Sequence, residues 1–492
     1  MKTHTPKQSA IDGRKPASWK LDDTLVSLHA LNEEIPISIG QVCEGIMVFG
    51  ISGSGKTSGS LNTINRAMLE KGFGIYNACI KKDEAQRARK LAALTGRGKD
   101  VRVMRLGGDI KFNFLESLKE GGADAITAAF KQINQSLLGQ MKETEWTQAS
   151  QEHLNNLVRL FLLAGRKMEI SELRLAADNF KEQKKLLEEA EQRVVEGTSE
   201  QHSLKMLSAY FCQQWRTMGE KTRASVIMSL TPTMNPFCDG PMRDLFCTET
   251  NFHPKELRQG RILIVDIPCV GEQAVYGIAA QTIIKYMVQM MIESDFGNGR
   301  DFADDSTRPV VIVVDECQYI TTGKDAEFVT TSRSCRGSLL YLTQDVNNFY
   351  RRGGETIKAE TGTLLSNLHG VRIMHQNSCK DTYEWFMGLL GKEWMAIYNQ
   401  SANFSGPVGG GSAGASISMH HENQITQRDF LVGLARGGKP YSFVVSGILQ
   451  QDGRVFKGGK MFTQVAFPQL DMSNKKKGGF FARLFKKKSD TL

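Results

Sequence analysis

The chain has 492 residues, more than one hydrophobic core usually serves, so two or more domains are expected. Hydrophobic residues make up 40% and charged residues 23%, a globular balance that excludes wholesale disorder. The formal net charge is +9, but residues 1–20 carry five basic side chains against Asp12, and residues 474–492 carry seven against Asp490. The stretch 21–473 is therefore at −1, and the basic excess lies wholly in the two ends.

In chain order, residues 1–20 read as a basic, disordered arm. Gly45–Gly50 is a short apolar run entering a glycine-rich turn, and 57–70 then has helical character. Phe73–Ile80 is a second apolar segment followed by a charged helix from Lys81 to Leu94, and Val101–Leu106 is a third strand. Strands alternating with helices predict parallel βαβ units. From about 116 to 235 strand signals vanish. Leu154, Leu157, Val158, Phe161 and their neighbours recur at helical spacing, while 180–195 is a charge-laced exposed helix. An all-α domain is thus predicted over 116–235, inserted between a first part of a nucleotide-binding domain (21–115) and its second part (236–473). Strands are expected at Ile262–Val265, Val310–Val314, Leu339–Thr343, Val371–Met374 and Tyr441–Leu449, with a flexible glycine-serine loop at 405–416. Trp146, Trp215 and Trp385 fall in helical segments and read as core residues.

The nine cysteines form no CxxC pair, and Cys317, Cys335 and Cys379 read as small buried thiols. The polar start carries no apolar signal stretch, and the apolar windows 261–270 and 274–292 are broken by charged and polar residues. A cytoplasmic, reduced chain that does not cross a membrane is the expectation.

The chemistry concentrates in three places. Gly50-Ile51-Ser52-Gly53-Ser54-Gly55-Lys56-Thr57 matches GxxxxGK[ST], and Ser58 follows it. Glycines there let backbone N–H groups curl around phosphate oxygens, and the helix that follows adds positive dipole. Lys56 would reach the β- and γ-phosphates of ATP, and the Thr57 hydroxyl would hold Mg2+. Val310–Val314 ends in Asp315-Glu316, a buried strand tipped by two carboxylates. Asp315 is expected at the metal and Glu316 as general base on the attacking water. Leu339–Thr343 ends in Gln344, expected to sense the γ-phosphate, and Arg333, ahead of that strand, could reach a neighbouring subunit's site.

Together with Phe112-Asn113-Phe114-Leu115, Gly260–Val265, Gln318-Tyr319, Leu365-Ser366-Asn367 and Lys380-Asp381-Thr382, these segments resemble the type IV secretion coupling proteins. Those are TraD/TraG-like members of the FtsK–HerA clade of P-loop motor ATPases. The resemblance implies a RecA-like α/β core with a mainly parallel sheet and an inserted all-α domain. It also implies a homo-hexameric ring with nucleotide between subunits, and DNA or a nucleoprotein as cargo. The all-α domain would then face the relaxosome or incoming DNA at one end of a central channel, with relaxosome or secretion-channel proteins as partners. Phe114 stands where the family usually has proline, and the family's N-terminal transmembrane helices have no counterpart in this sequence. The tail 475–488 sets Phe480, Phe481, Leu484 and Phe485 on one helical face between lysines, a pattern suited to peripheral docking on the inner face of the membrane. Two other readings remain at this stage: a secretion ATPase that receives protein effectors, and a docking module gated by nucleotide. Glu316 and Gln344 argue against the last, because bare binding needs neither.

Overall fold

The computed structural model describes residues 18–30, 33–138, 145–294, 305–350, 355–404 and 411–470. The tail 474–492 and most of the N-terminal arm lie outside them. Thirteen strands lie among the described residues. They are β1 (Thr24–Ala30), β2 (Glu34–Ser38), β3 (Ile46–Phe49), β4 (Gly74–Ala78), β5 (Val101–Arg105), β6 (Ile262–Asp266) and β7 (Val310–Asp315). After these come β8 (Gly337–Thr343), β9 (Val371–Met374), β10 (Lys392–Phe404), β11 (Gly411–Asn423), β12 (Val444–Gln450) and β13 (Phe462–Pro468).

Eleven of them form one sheet in the order β2-β1-β13-β12-β9-β3-β8-β7-β4-β6-β5. From β9 to β5 every pairing is parallel; β12, β13, β1 and β2 extend the sheet in antiparallel fashion. The central strands are continuous apolar runs because both faces are covered. Met47 and Phe49 of β3 enter one core, and Ile46 and Val48 enter the other. The α/β class and mainly parallel sheet expected from the alternating pattern are present.

Helices fill the chain between β5 and β6, from Phe114–Leu118 to Gly240–Phe246. Their apolar side chains join the core on one sheet face. Asn113 caps the first of these helices, its side chain accepting from Glu116 N at 3.3 Å. Phe114 occupies the first helical position, with its ring 5.7 Å from Phe237 and 6.1 Å from Phe130. An aromatic ring thus fills core space that the smaller proline side chain would leave open. Trp215 is fully buried, stacked 3.8 Å from His153.

Three local expectations need correction. The arm expected to be disordered through Lys20 ends earlier: Trp19 is buried, its indole donates to Lys71 O at 3.0 Å, and Arg308 lies over its ring. The loop expected at 405–416 is in part a strand, for residues 411–416 pair in register with β10, Ser416 against Asn399. Small alternating residues suit a pleated ribbon as well as a loop, so composition misleads there. The strand expected from Tyr441 begins only at Val444, because Ser442 and Phe443 have φ of +51° and +58° and turn the chain. Cys317 and Cys335 are buried as expected, whereas Cys379 is half-buried. Among the described residues no helix is long and apolar enough to cross a membrane.

A buried ion pair ties the long helix Ala274–Ser294 to the helix Gly323–Thr331 after β7. Lys285 Nζ bonds the Asp325 carboxylate and donates to Ile320 O at 2.6 Å. Asp325 also accepts from Gln289 at 2.6 Å, Tyr341 Oη at 3.0 Å and Thr322 N at 2.9 Å. Removing one partner of such a pair strands the other charge. Asp325→Ala should cost about 3–5 kcal/mol of unfolding free energy. Urea denaturation measures it; a loss below about 1 kcal/mol would show that the pair is not a structural anchor.

Candidate functional site

The site forms where the C-terminal ends of β3, β8, β7 and β4 meet. β3 runs into the loop Gly50–Thr57, and Gly53 and Gly55 take φ of +76° and +93°, open to glycine without strain. A single π-helical turn, Thr57–Leu61, then leads into the helix Asn62–Glu70. Lys56 is buried, and its ammonium bonds the Gly50 carbonyl and lies 3.4 Å from Ile51 O. Burial lowers its pKa, and the carboxylates of Asp315 and Glu316 partly offset this. An arriving phosphate would favour the charged form further. Ser54 Oγ is buried in the loop with no hydrogen-bond partner.

The two carboxylates take different surroundings. Thr57 Oγ1 donates to Asp315 Oδ2 at 2.6 Å, while Asp315 Oδ1 is buried with no partner. That orphaned oxygen and the Thr57 hydroxyl make an oxygen donor set suited to a hard divalent cation. Glu316 sits at φ +57°, a left-handed conformation uncommon for a residue with a side chain. Burial alone would raise its pKa, but donors from Lys81, Gln318 and Gln344 outweigh it and hold the carboxyl below its usual range. Those donors stand at 2.8 Å (Lys81 Nζ), 3.1 Å (Gln318 Nε2) and 3.2 Å (Gln344 Nε2). Glu316 is thereby an anion in a partly dry site.

Lys81 and His375 did not emerge from the sequence, and Gln318 entered only as part of the family resemblance, with no role at the site. Lys81 follows β4 and meets Glu316 because β4 lies beside β7. Glu84 caps that bend, accepting from Ile80 N at 2.7 Å and Lys81 N at 3.2 Å, and burial beside Asp315 pushes its carboxyl up to about 8. His375 supports the loop from below: Nδ1–H donates to Ser446 O at 2.9 Å, and Nε2 faces the Ser60 hydroxyl at 2.9 Å. The only sequence signal for Lys81 was its place just past an apolar strand.

Arg333 is elsewhere. It precedes β8, at the opposite end of that strand from Gln344, and pairs with Glu44 at 3.0 Å while 54% exposed. It cannot reach the phosphate loop of its own chain. Ser52 and Ser58 lie on the loop and its first turn, and Ser58 Oγ accepts from Gln469 at 2.7 Å.

Burial and Lys56 push the His375 pKa down to about 4, against the opposing pull of the Ser446 carbonyl. Its unfolded value is near 6.5, so between those pH values the unfolded chain binds the extra proton. The stability His375 contributes is therefore full above about pH 6.5 and falls as pH drops toward 4. His375→Asn should flatten unfolding free energy against pH across this window; an unchanged slope would refute the assignment.

The chain matches the family model described as type IV secretory system conjugative DNA transfer over residues 24–451. A search of curated proteins returned no match. Several solved structures share the fold. The bacterial conjugative coupling protein TrwB, in a trigonal form with sulphate, has a TM-score of 0.58 at 12% identity, covering 94% of this chain and 98% of that one. TrwB with a non-hydrolysable ATP analogue has a TM-score of 0.57 at 12% identity, covering 92% and 91%. TrwB with ADP and Mg2+ also has 0.57 at 12% identity, covering 90% and 89%. A family match that runs from β1 to the end of β12, with the phosphate loop and carboxylate pair inside it, places this chain in the conjugative DNA transfer family of type IV secretory systems.

Proposed function

We propose that this protein is an ATP-driven motor that moves DNA toward a conjugative secretion channel, working as a homo-hexameric ring. One observation carries the reading: Glu316, held charged by Lys81 and Gln344, stands at the strand end beside the Thr57–Asp315 pair. ATP would lie with its β- and γ-phosphates on the loop amides and Lys56. Thr57 and the free Asp315 oxygen would hold Mg2+, which supplies neutralisation of phosphate charge. TrwB, with the same fold, has been solved with ADP and Mg2+ and with an ATP analogue.

Glu316 accepts two hydrogen bonds on Oε1 and one on Oε2, which keeps a lone pair free on Oε2 to orient a water and take its proton. Gln344, bonded to the same carboxylate, would align that water against the γ-phosphate. Arg333, facing away from its own loop, would serve the adjacent subunit and stabilise charge there. This makes hydrolysis depend on ring assembly. The relaxosome and the channel remain the expected protein partners, with DNA recruited at the pore by few basic groups per copy because six copies focus the field.

Glu316→Gln should keep ATP binding and lose hydrolysis by about a hundredfold or more. Arg333→Ala should lose about a thousandfold. Mixing the two variants should restore part of the activity, because some interfaces then combine an intact Glu316 with an intact Arg333. No recovery on mixing would refute the role in trans. Hydrolysis by the unmodified chain should rise with DNA at low salt; indifference to saturating DNA would overturn the DNA motor.

A further inference from the structure

The tight turn between Arg436 and Phe443 has two features that folding alone does not require. Ser442 and Phe443 are consecutive non-glycine residues at positive φ, +51° and +58°. For an aromatic side chain this is a disfavoured conformation that persists where the surroundings impose it, commonly at ligand sites. Phe443 is nonetheless 51% exposed and Tyr441 is 45% exposed. The strain therefore yields no buried ring.

The turn is locked from several sides. Phe443 N donates to Gly438 O at 2.8 Å, and Gln469 N donates to Phe443 O at 2.8 Å. The Gln469 side chain accepts from Gly438 N at 2.7 Å and donates to Ser58 Oγ at 2.7 Å, linking the turn to the first turn after the phosphate loop. Arg436 bonds Gln376, whose backbone carbonyl accepts from Ile51 N at 2.9 Å. A Cβ on Gly55 would collide with Val445 and approach Arg436 O to 3.2 Å, so turn and loop are in van der Waals contact.

Sheet order sets the direction. Glu316 and Gln344 stand on the β8–β7 side of β3, which marks the γ-phosphate end of the cradle. The nucleoside must leave on the other side, toward β9 and β12, and β12 opens at the turn in question. We propose that the Arg436–Phe443 turn is the base subsite of the nucleotide site, with the exposed Phe443 and Tyr441 rings stacking on the purine of ATP. This rests on the phosphate loop being a nucleotide site. The left-handed backbone then holds the ring at the rim of the cradle instead of letting it fold into the core.

Calorimetric titration of the full chain with Mg-ATP and, separately, with Mg-tripolyphosphate tests this. Phe443→Gly removes the ring while suiting the backbone, and should weaken ATP by about tenfold while tripolyphosphate is unaffected. Tyr441→Ala should act in the same direction, and Phe443→Trp should retain ATP affinity. Unchanged ATP binding in both ring-removing variants would overturn the subsite. So would an equal loss of both ligands, because the turn would then only prop the phosphate loop. Lys56→Ala is the separate control: if it leaves both ligands bound, the phosphate-loop reading itself fails, whatever the ring variants do.

Discussion

Parallel pairing of β3 with β8 and of β8 with β7 is the constraint on which the rest depends. Phe49 sits opposite Thr343, and Leu342 opposite Asp315, so three strand ends stop at one edge. The phosphate loop, Gln344 and the Asp315–Glu316 pair are brought together by that register alone. A slip of one residue in β7 would turn Asp315 to the other face of the sheet and break its 2.6 Å bond from Thr57. Both faces of the sheet are apolar and covered, which penalises such a slip at every position along the strand.

Two lysine–carboxylate pairs show how burial separates structure from chemistry. Lys285 and Asp325 are fully buried and saturated with further donors and acceptors, so their geometry is fixed. Lys81 and Glu316 also pair, but the lysine side chain is half-exposed and ends a surface bend. Water competes there, and the pair can rearrange at small cost. The role proposed for Glu316, acting on water, suits the second setting, where the carboxylate is kept ionised by neighbours that can still yield.

The phosphate loop was legible because a phosphate would be held by consecutive backbone amides, which compresses the requirement into eight adjacent residues. The Asp315–Glu316 pair and Gln344 were legible for a related reason, each standing where a continuous apolar run stops. Lys81, His375 and the Phe443 turn were not. Lys81 is 235 residues from Glu316 in the chain, and His375 is 315 from Ser60. Residues 411–416 misled for another reason, since their small side chains fit either a loop or a ribbon and only pairing with β10 decides.

The sequence by itself determined the phosphate loop, the alternation of strands and helices, the long helical stretch between β5 and β6, and the family resemblance. These are local properties, set by period, by backbone freedom and by spacing along one segment. Tertiary structure alone decided strand order, and with it which side chains share the site. It puts Lys81 on Glu316, His375 under the loop, Arg333 ahead of its strand at the far end from Gln344 and the Gln469 side chain on Ser58. Strand order follows from how whole apolar faces cover one another, a sum over the fold that no single segment carries.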